Sequence, residues 1–237
     1  MASAKDVEVR VIPSRIANPF VRSHHYSRKV VTNSQLHFGA FLNGRLHGVM
    51  SFGPPMDKSK VLPLVEGTPW NGVIELNRMA FDDVLPKNSE SRCIAVAIRM
   101  IRKKAPQVKW VLSYADGCSC GDGAIYRASG FILTGISKNS TIAILPDGTE
   151  VANMSVTAHV SQPRPELGGQ SLAQAFGGKY TWKKYLERTG AQMAEGYMLR
   201  YIYFIDKTYR KKLTVPELPY SKIGEIGAGM YKGKKKV

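Results

Sequence analysis

Cysteine, acidic side chains and long apolar runs are all scarce in this 237-residue chain. Three cysteines are too few, and odd in number, for a disulfide framework, which indicates a reducing compartment. No apolar run approaches the roughly 18 residues that span a bilayer, and the first ten residues lack the apolar stretch of a secretory signal. We therefore expect a cytoplasmic protein that makes no membrane contact.

Acidic residues number 18 against 34 lysines and arginines, which gives a net charge of +16 and an isoelectric point near 9.8. The excess is concentrated late in the chain, where residues 179–237 hold 14 basic and 5 acidic side chains. A charge of this sign attracts the phosphates of nucleic acids. Solubility or an acidic protein partner are the alternatives, but the aromatic residues interleaved with the cations favour a nucleic acid.

Apolar residues make up 43% of the chain, enough for a sizeable core, and their spacing indicates an α/β order. The predicted strands are Val7–Ile12, Gln35–Leu42, Arg45–Phe52, Val73–Phe81, Lys109–Tyr114, Phe131–Ser137 and Tyr197–Ile205. The predicted helices follow Ser14, begin at a cap formed by Asn88 or Ser89, and cover Ala124–Ser129 and Tyr180–Arg188. A tight hairpin turn is expected at Asn43-Gly44.

The domain organisation is expected to be simple. Residues 1–210 are predicted to form one domain, with an irregular, charge-neutral insertion at about 161–178, and residues 211–237 a basic tail. Residues 53–71 are rich in proline and glycine and are predicted to be a loop. The tail ends in KGKKKV, a lysine cluster suited to binding phosphates.

Glycine and polar residues are concentrated in the segment 113–131, SYADGCSCGDGAIYRASGF. Asp116 follows a predicted strand, at the edge where open α/β sheets bind ligands, so its carboxylate is a candidate base or ligand. The alternative is an Asx turn that holds nearby amides. Asp122 is better explained as a turn residue or a helix cap. The pair Cys118-x-Cys120 lacks the second ligand pair of a structural zinc site.

Two further titratable residues are candidates for proton transfer. His25 has the side chain whose ordinary pKa lies nearest neutral pH, although a lone histidine is more often structural. Glu75 lies on a central predicted strand, where it is either a base, a ligand, or the partner of Arg78 in a charge pair.

Four stretches together resemble the Mom family of phage DNA-modification proteins: His24-His25-Tyr26-Ser27, ELNRMAFDD, NSESR and YADG-x3-GDGAIYRASGF. The resemblance implies a mixed central sheet flanked by helices, as in the GCN5-related N-acetyltransferases. It also implies an enzyme of the host cytoplasm that converts adenine in duplex DNA to N6-carbamoylmethyladenine and so protects phage DNA from restriction. An acyltransferase acting on a protein or another amine, or a non-catalytic DNA-binding protein, remain alternatives.

The resemblance also implies a set of site residues. The catalytic candidates become His25, Tyr26, Glu75, Asp116 and Tyr126, although Tyr126 could equally pack between helix and sheet. An iron ion is implied as well, with His25 and Asp116 as its candidate ligands, and two ligands fall short of the usual triad.

The donor site departs from the acyltransferase pattern, because LPKNSESRCIA has no glycine where a phosphate-binding loop is expected. A helix N-terminus still offers free amides, and Ser89, Ser91 and Arg92 could add hydroxyl and guanidinium contacts. Acetyl-CoA is one candidate donor. Glycyl-tRNA is the other, since a glycyl group has the atoms of a carbamoylmethyl product, and tRNA then becomes a second partner.

DNA contact is expected mainly in the C-terminal third of the chain. The candidates combine cations with one aromatic ring, and they are Lys179, Trp182, Lys183, Lys184, Arg188, Lys234, Lys235 and Lys236. An enzyme that acts on adenine in duplex DNA is expected to flip the base out of the stack. A homodimer is left open.

Overall fold

The computed structural model describes residues 2–231 and 234–235. The strands are β1 (Glu8–Ile12), β2 (Leu36–Leu42), β3 (Arg45–Gly53), β4 (Val73–Phe81), β5 (Trp110–Asp116), β6 (Ile132–Lys138), β7 (Ile142–Ile144), β8 (Glu150–Ala152), β9 (Gln192–Met193), β10 (Tyr197–Phe204), β11 (Met230–Tyr231) and β12 (Lys234–Lys235). The helices are α1 (Ser14–His24), α2 (Lys58–Val61), α3 (Ser89–Lys104), α4 (Ala124–Ala128), α5 (Asn153–Thr157), α6 (Leu172–Phe176), α7 (Trp182–Thr189) and α8 (Ser221–Glu225). Single 3₁₀ turns cover Ala4–Asp6, Leu62–Leu64 and Pro165–Leu167, and a longer one covers Lys207–Lys212.

A seven-stranded mixed sheet in the order β1-β2-β3-β4-β5-β10-β6 organises the larger part of the chain. The strands from β1 to β4 pair antiparallel, and β4 pairs with β5 in parallel. The β2–β3 turn is formed by Asn43 and Gly44, both at positive φ, which matches the right-handed twist of the strands. The predicted mixed α/β sheet flanked by helices is therefore confirmed.

The chain divides into two compact units. The sheet unit comprises the chain up to Ile136 and from Leu199 onward, and the second unit comprises Ser137–Met198. The sequence-based insertion at 161–178 lies within the second unit, which also holds a small sheet in the order β8-β7-β9. The predicted domain boundaries at 161–178 and 210 stay a prediction.

The core of the sheet unit is formed by apolar side chains on the faces of the central strands. One cluster centres on Trp110, Leu112, Ile202 and Phe204, whose exposure is 3% or less. The region predicted as a loop at 53–71 contributes to it through α2 and the turn Leu62–Leu64, so that prediction was wrong for residues 58–64. Within the described residues, no helix is long and apolar enough to cross a membrane.

Candidate active site

The candidate site lies where the two central parallel strands separate. The strands β4 and β5 are paired only from Val73 with Trp110 to Glu75 with Leu112. One residue further on, the Ser113 hydroxyl donates to the Leu76 carbonyl at 3.0 Å. Beyond the pair Glu75 and Leu112, β4 and β5 no longer pair with each other. The polar side chains at the end of β4 and in the loop after β5 can therefore contact a ligand, as expected at the carboxyl ends of parallel strands.

Asp116 ends β5 and organises the loop that follows it. Its Oδ1 atom accepts hydrogen bonds from the amides of Cys118 at 2.9 Å and Ser119 at 3.4 Å, which is the Asx turn considered above. Its Oδ2 atom accepts a bond from the Tyr26 hydroxyl at 3.2 Å. The carboxylate therefore both shapes the loop and links it to the segment after α1.

Tyr26 and His25 come directly after α1 and lie against each other, with ring centroids 4.2 Å apart. Removal from water, together with the Asp116 carboxylate, raises the pKa of Tyr26 above its ordinary value, so its hydroxyl remains a donor. Tyr26 is 46% exposed, whereas His25 is buried, with only 7% of its surface exposed. The phenol is thus accessible from solvent while it donates to Asp116.

His25 is held as a neutral imidazole. Burial, with a smaller contribution from the Arg78 charge, lowers its pKa to about 4. Its Nδ1 atom accepts from the Ser27 amide at 3.1 Å and lies 2.8 Å from the Ser27 hydroxyl. Because Nδ1 is an acceptor, the proton of the neutral ring resides on Nε2, and His25 can offer an N–H donor but no base at that atom.

Glu75 is the side chain best suited to accept a proton near neutral pH. Burial raises its pKa to about 7, and the Arg78 charge only partly opposes that shift. The Arg78 guanidinium donates to the carbonyls of Lys29 at 2.8 Å and Asn77 at 2.7 Å. These bonds fix it beside the crevice that opens where β4 and β5 separate. The sequence suggested only a charge pair for Arg78, and its contact with Lys29, 49 residues away, could not be read from the pattern.

Tyr126 packs between helix and sheet, and a catalytic role for it stays a prediction. Its ring packs on Phe131 and Tyr201, with centroids 5.4 Å away in both cases, and only 8% of the residue is exposed. Burial raises its pKa to about 12, against a hydrogen bond with Ser113 that lowers it. The phenol is thus held neutral and is hydrogen-bonded with Ser113, which lies where β4 and β5 separate.

Asp122 was predicted to be a turn residue or a helix cap, and the structure adds a buried ion pair. It is 3% exposed, and its carboxylate pairs with the Arg127 guanidinium at 3.1 Å. Its carbonyl accepts from Arg127 and from the Tyr201 hydroxyl at 2.6 Å. Gly123, at φ +78°, is the actual N-cap, and a Cβ there would lie 2.4 Å from the Tyr201 ring. These contacts anchor the loop that carries Asp116 and Tyr126.

The three residues predicted to hold the donor lie at the N-terminus of α3 with different surroundings. The Ser91 hydroxyl donates to the Asn88 carbonyl, and Arg92 donates to the Val7 carbonyl at 2.7 Å. The Ser89 hydroxyl is buried and has no hydrogen-bond partner in the described part of the chain. Asn88 makes no side-chain cap and the Ser89 amide donates to the Pro86 carbonyl, so the amides of Glu90 and Ser91 and the Ser89 hydroxyl form the part of this end suited to an anion.

The predicted iron ligands do not form a metal site in the described residues, where no group of three or more His, Cys, Asp and Glu side chains converges. The Nδ1 atom of His25 is occupied by Ser27, and both carboxylate oxygens of Asp116 accept hydrogen bonds. His25 and Asp116 give two ligands where a non-haem iron site needs three, and no third such side chain converges on them among the described residues, so this donor set does not fit a resident iron ion.

The basic helix of the second unit is more engaged in internal contacts than its sequence suggested. Trp182 stacks on Tyr185 at 5.2 Å, and its Nε1 atom is buried. The Arg188 guanidinium donates to Ala175 and Gln170, both at 2.7 Å. The remaining predicted DNA contacts in this unit, Lys179, Lys183 and Lys184, are exposed.

The tail lysines are only partly described. Lys234 is exposed on β12, Lys235 is described by its backbone alone, and Lys236 lies outside the described residues. DNA contact by any of these residues stays a prediction.

Comparison with known proteins identifies the family. The model of the Mom protein family matches residues 6–222. The chain belongs to the Mom family. A curated relative from Escherichia phage Mu, named methylcarbamoylase mom, is 35% identical over 210 residues, which cover 89% of this chain and 80% of the relative. The family predicted from the His24–Ser27 and 113–131 motifs is thus confirmed.

Solved structures with similar backbones are acetyltransferases. An N-acetyltransferase from Staphylococcus aureus Mu50 has a TM-score of 0.45 at 10% identity and covers 84% of this chain and 98% of its own. An acetyltransferase from Bacillus subtilis in complex with CoA has a TM-score of 0.43 at 11% identity, with 84% and 97% covered. Membership of the Mom family depends on the sequence matches and not on these similarities.

Proposed function

We propose that this protein is a DNA-modifying transferase that converts adenine in duplex DNA to N6-carbamoylmethyladenine and thereby shields phage DNA from restriction. The observation that carries the proposal is membership of the Mom family over residues 6–222, together with a methylcarbamoylase from phage Mu at 35% identity. The net charge of +16 suits a DNA substrate.

The chemistry requires a proton acceptor, because the exocyclic amine of adenine loses a proton as its nitrogen bonds to the donor carbon. Glu75 takes this proton, since a carboxyl group with a pKa of about 7 is partly ionised and still basic near neutral pH. The Nε2–H of His25 and the hydroxyl of Tyr126 supply neutral hydrogen-bond donors to the oxygen or leaving group of the donor.

Asp116 positions the remaining parts of the site. Its carboxylate orients the Tyr26 hydroxyl and holds the loop amides of Cys118 and Ser119. Burial keeps His25 neutral, and Arg78, fixed through the Lys29 carbonyl, adds a positive charge that assists it. A flipped adenine is the form of the base that such a crevice can reach.

The donor is an acyl compound bound at the N-terminus of α3, where the amides of Glu90 and Ser91 and the buried Ser89 hydroxyl suit a phosphate group. An acetyl group from acetyl-CoA lacks the amide nitrogen of the product, and a second nitrogen source is then needed. A glycyl group from glycyl-tRNA already contains two carbons, an oxygen and a nitrogen. To give the product, adenine N6 bonds to the glycyl methylene carbon, the glycyl nitrogen moves from that carbon to the carbonyl carbon, and the ester oxygen leaves as a hydroxyl of the tRNA. Attack of N6 on the carbonyl carbon alone would give a glycylamide instead. Every atom added to adenine then comes from glycyl-tRNA, which favours this donor, and tRNA and a homodimer remain predicted partners.

Expression in a bacterial host tests the function directly. DNA recovered from cells that express the protein is digested to nucleosides and analysed by mass spectrometry, with an empty vector as the control. The expected result is a carbamoylmethyladenine peak that appears only with the protein. An unmodified nucleoside profile from cells that contain abundant folded protein contradicts the proposal, and a modified protein amine under the same conditions favours the alternative acyltransferase.

A further inference from the structure

A groove of about 630 Å³ lies in the sheet unit beside the C-terminal half of α3, and no predicted site includes it. Its floor is apolar and is formed by Ala95, Ile98, Val108 and Ile205. Polar and charged side chains lie around this floor, from α3, from the start of β5 and from the chain after β10. We refer to it as the α3 groove.

The cations at the α3 groove are largely uncommitted. Arg99 and Arg102 are exposed, lie three positions apart on α3, and form no hydrogen bond or ion pair with any described residue. Lys207 lies 4.8 Å from the centre of the Tyr203 ring, which leaves its charge in solvent. Asp206 is the one acidic residue in the described lining, and it pairs with Lys109 at 3.6 Å.

The surroundings extend this positive charge. The 3₁₀ turn Lys207–Lys212 begins in the groove lining and also contains Arg210, Lys211 and Lys212, of which Arg210 is paired with Glu217. The last turn of α3 holds Arg102, Lys103 and Lys104, which offset the negative end of the helix dipole. In the groove itself, a polyanion meets Arg99, Arg102 and Lys207, which are exposed on one open surface.

The α3 groove is separate from the candidate active site. Ser89 begins α3, and Arg99 and Arg102 lie ten and thirteen residues later. At about 1.5 Å per residue, they are about 15–20 Å along the helix from the donor end. A duplex bound at the crevice extends past this distance within about six base pairs.

We propose that the α3 groove binds backbone phosphates of the duplex DNA substrate through Arg99, Arg102 and Lys207. The inference builds on the proposed function, because DNA modification supplies the partner. Phosphate is the chemistry that unpaired guanidinium groups recognise best, and a DNA backbone presents phosphates at intervals along an open groove. Such contacts fix register and affinity and do not read the base sequence.

The test measures the affinity of a synthetic DNA duplex by fluorescence anisotropy over a range of salt concentrations. The variant R99Q/R102Q is compared with the wild type and with R15Q/R45Q, which removes two exposed arginines of the same unit outside the groove. In R99Q/R102Q, the slope of log affinity against log salt is expected to become shallower by about 2. The affinity is expected to fall about tenfold at ~0.1 M salt. The R15Q/R45Q slope is expected to stay near that of the wild type.

Binding of tRNA and of a mononucleotide is measured as well, to determine which phosphate compound the groove binds. A slope for R99Q/R102Q equal to that of R15Q/R45Q overturns the proposal. So does a loss of tRNA binding, or of mononucleotide binding, with duplex binding unchanged. Lys207→Gln is a second variant, expected to lower the slope by about 1, and thermal melting verifies that each variant is folded.

These outcomes are independent of the chemical step. Binding is measured without a donor, so a reduced slope supports the groove even where no adenine adduct is found. The absence of an adduct then contradicts the proposed modification alone.

Discussion

The crevice between β4 and β5 and the α3 groove use charge in opposite ways. In the crevice, burial moves the pKa of Glu75 up to about 7 and that of His25 down to about 4. At the groove, Arg99 and Arg102 are exposed and have no partner among the described residues. Buried groups have their proton affinity changed, whereas exposed cations keep their charge and attract phosphate.

This difference separates chemistry from binding. Substitutions in the crevice are expected to change the rate of modification and leave DNA affinity intact. Substitutions at exposed cations are expected to change affinity and its dependence on salt.

The largest effect is expected for Asp116→Ala, which removes the acceptor of the Tyr26 hydroxyl and of two loop amides. Modification is expected to be abolished, with DNA affinity unchanged in anisotropy measurements. Asp116→Asn is the matched variant, because its amide oxygen can still accept from the Cys118 and Ser119 amides. This variant is expected to keep the conformation of the loop after β5 and to lose most of the activity. Strongly reduced DNA binding in Asp116→Ala would give this residue a structural role in the DNA surface.

Glu75→Gln is expected to lower the rate of modification by about 10²-fold or more, because the amide cannot accept the proton of the adenine amine. The wild-type rate is expected to rise with pH through about 7, as Glu75 ionises. Glu66→Gln, an exposed glutamate of the same unit, is the control. The rate is measured by nucleoside mass spectrometry, and equal rates in Glu75→Gln and Glu66→Gln would exclude Glu75 as the base.

Glu75 is also expected to affect stability in a pH-dependent way. Its folded pKa is raised from 4.5 to about 7, so the folded state holds more protons than the unfolded state between these values. Its contribution to stability is therefore present below about 4.5 and is lost as pH rises towards 7, by on the order of 2–3 kcal/mol.

Denaturant unfolding of Glu75→Gln and wild type at several pH values measures this contribution. Glu75→Gln is expected to gain stability relative to the wild type as pH rises through that window. His25, with its lowered pKa, contributes in the opposite direction and is present in both proteins, so it cancels in the difference. A difference that does not vary between pH 4.5 and 7 would mean that Glu75 is not buried as described.

The smallest effect is expected for Lys234→Gln/Lys235→Gln/Lys236→Gln. These lysines lie close to the chain end, and the change leaves Met230, whose carbonyl accepts from the Asp122 amide, untouched. The slope of log affinity against log salt is expected to fall by about 1, with a few-fold loss of affinity. An unchanged slope would make the tail incidental to DNA binding.

Much of the sheet unit could be predicted because local patterns determine it. The strand Val73–Phe81 matches the prediction at both ends, and Asn43-Gly44 indicated the hairpin through its turn chemistry alone. The helix within residues 58–64 was missed because Pro63 and the surrounding glycines and prolines indicated a loop, although Val61 and Leu64 are buried in the core.

Contacts distant in sequence could not be predicted. Asp122 was interpreted as a cap because the partners that bury it include Tyr201, 79 residues away. Trp182 is the exception, because its stacking partner Tyr185 lies only three residues away and the helical spacing alone allows that contact. The groove beside Arg99 and Arg102 could not be predicted either, because it forms only when residues 203–208 pack against α3.

We expect the crevice to perform the chemistry and the exposed cations to bind the DNA. A paired measurement of adenine modification and duplex affinity, for Glu75→Gln and R99Q/R102Q side by side, tests it most directly. We expect Glu75→Gln to bind the duplex as the wild type does and form little carbamoylmethyladenine, and R99Q/R102Q to bind less tightly with a shallower salt dependence. Weak binding by Glu75→Gln, or full affinity and an unchanged salt slope in R99Q/R102Q, would contradict the account.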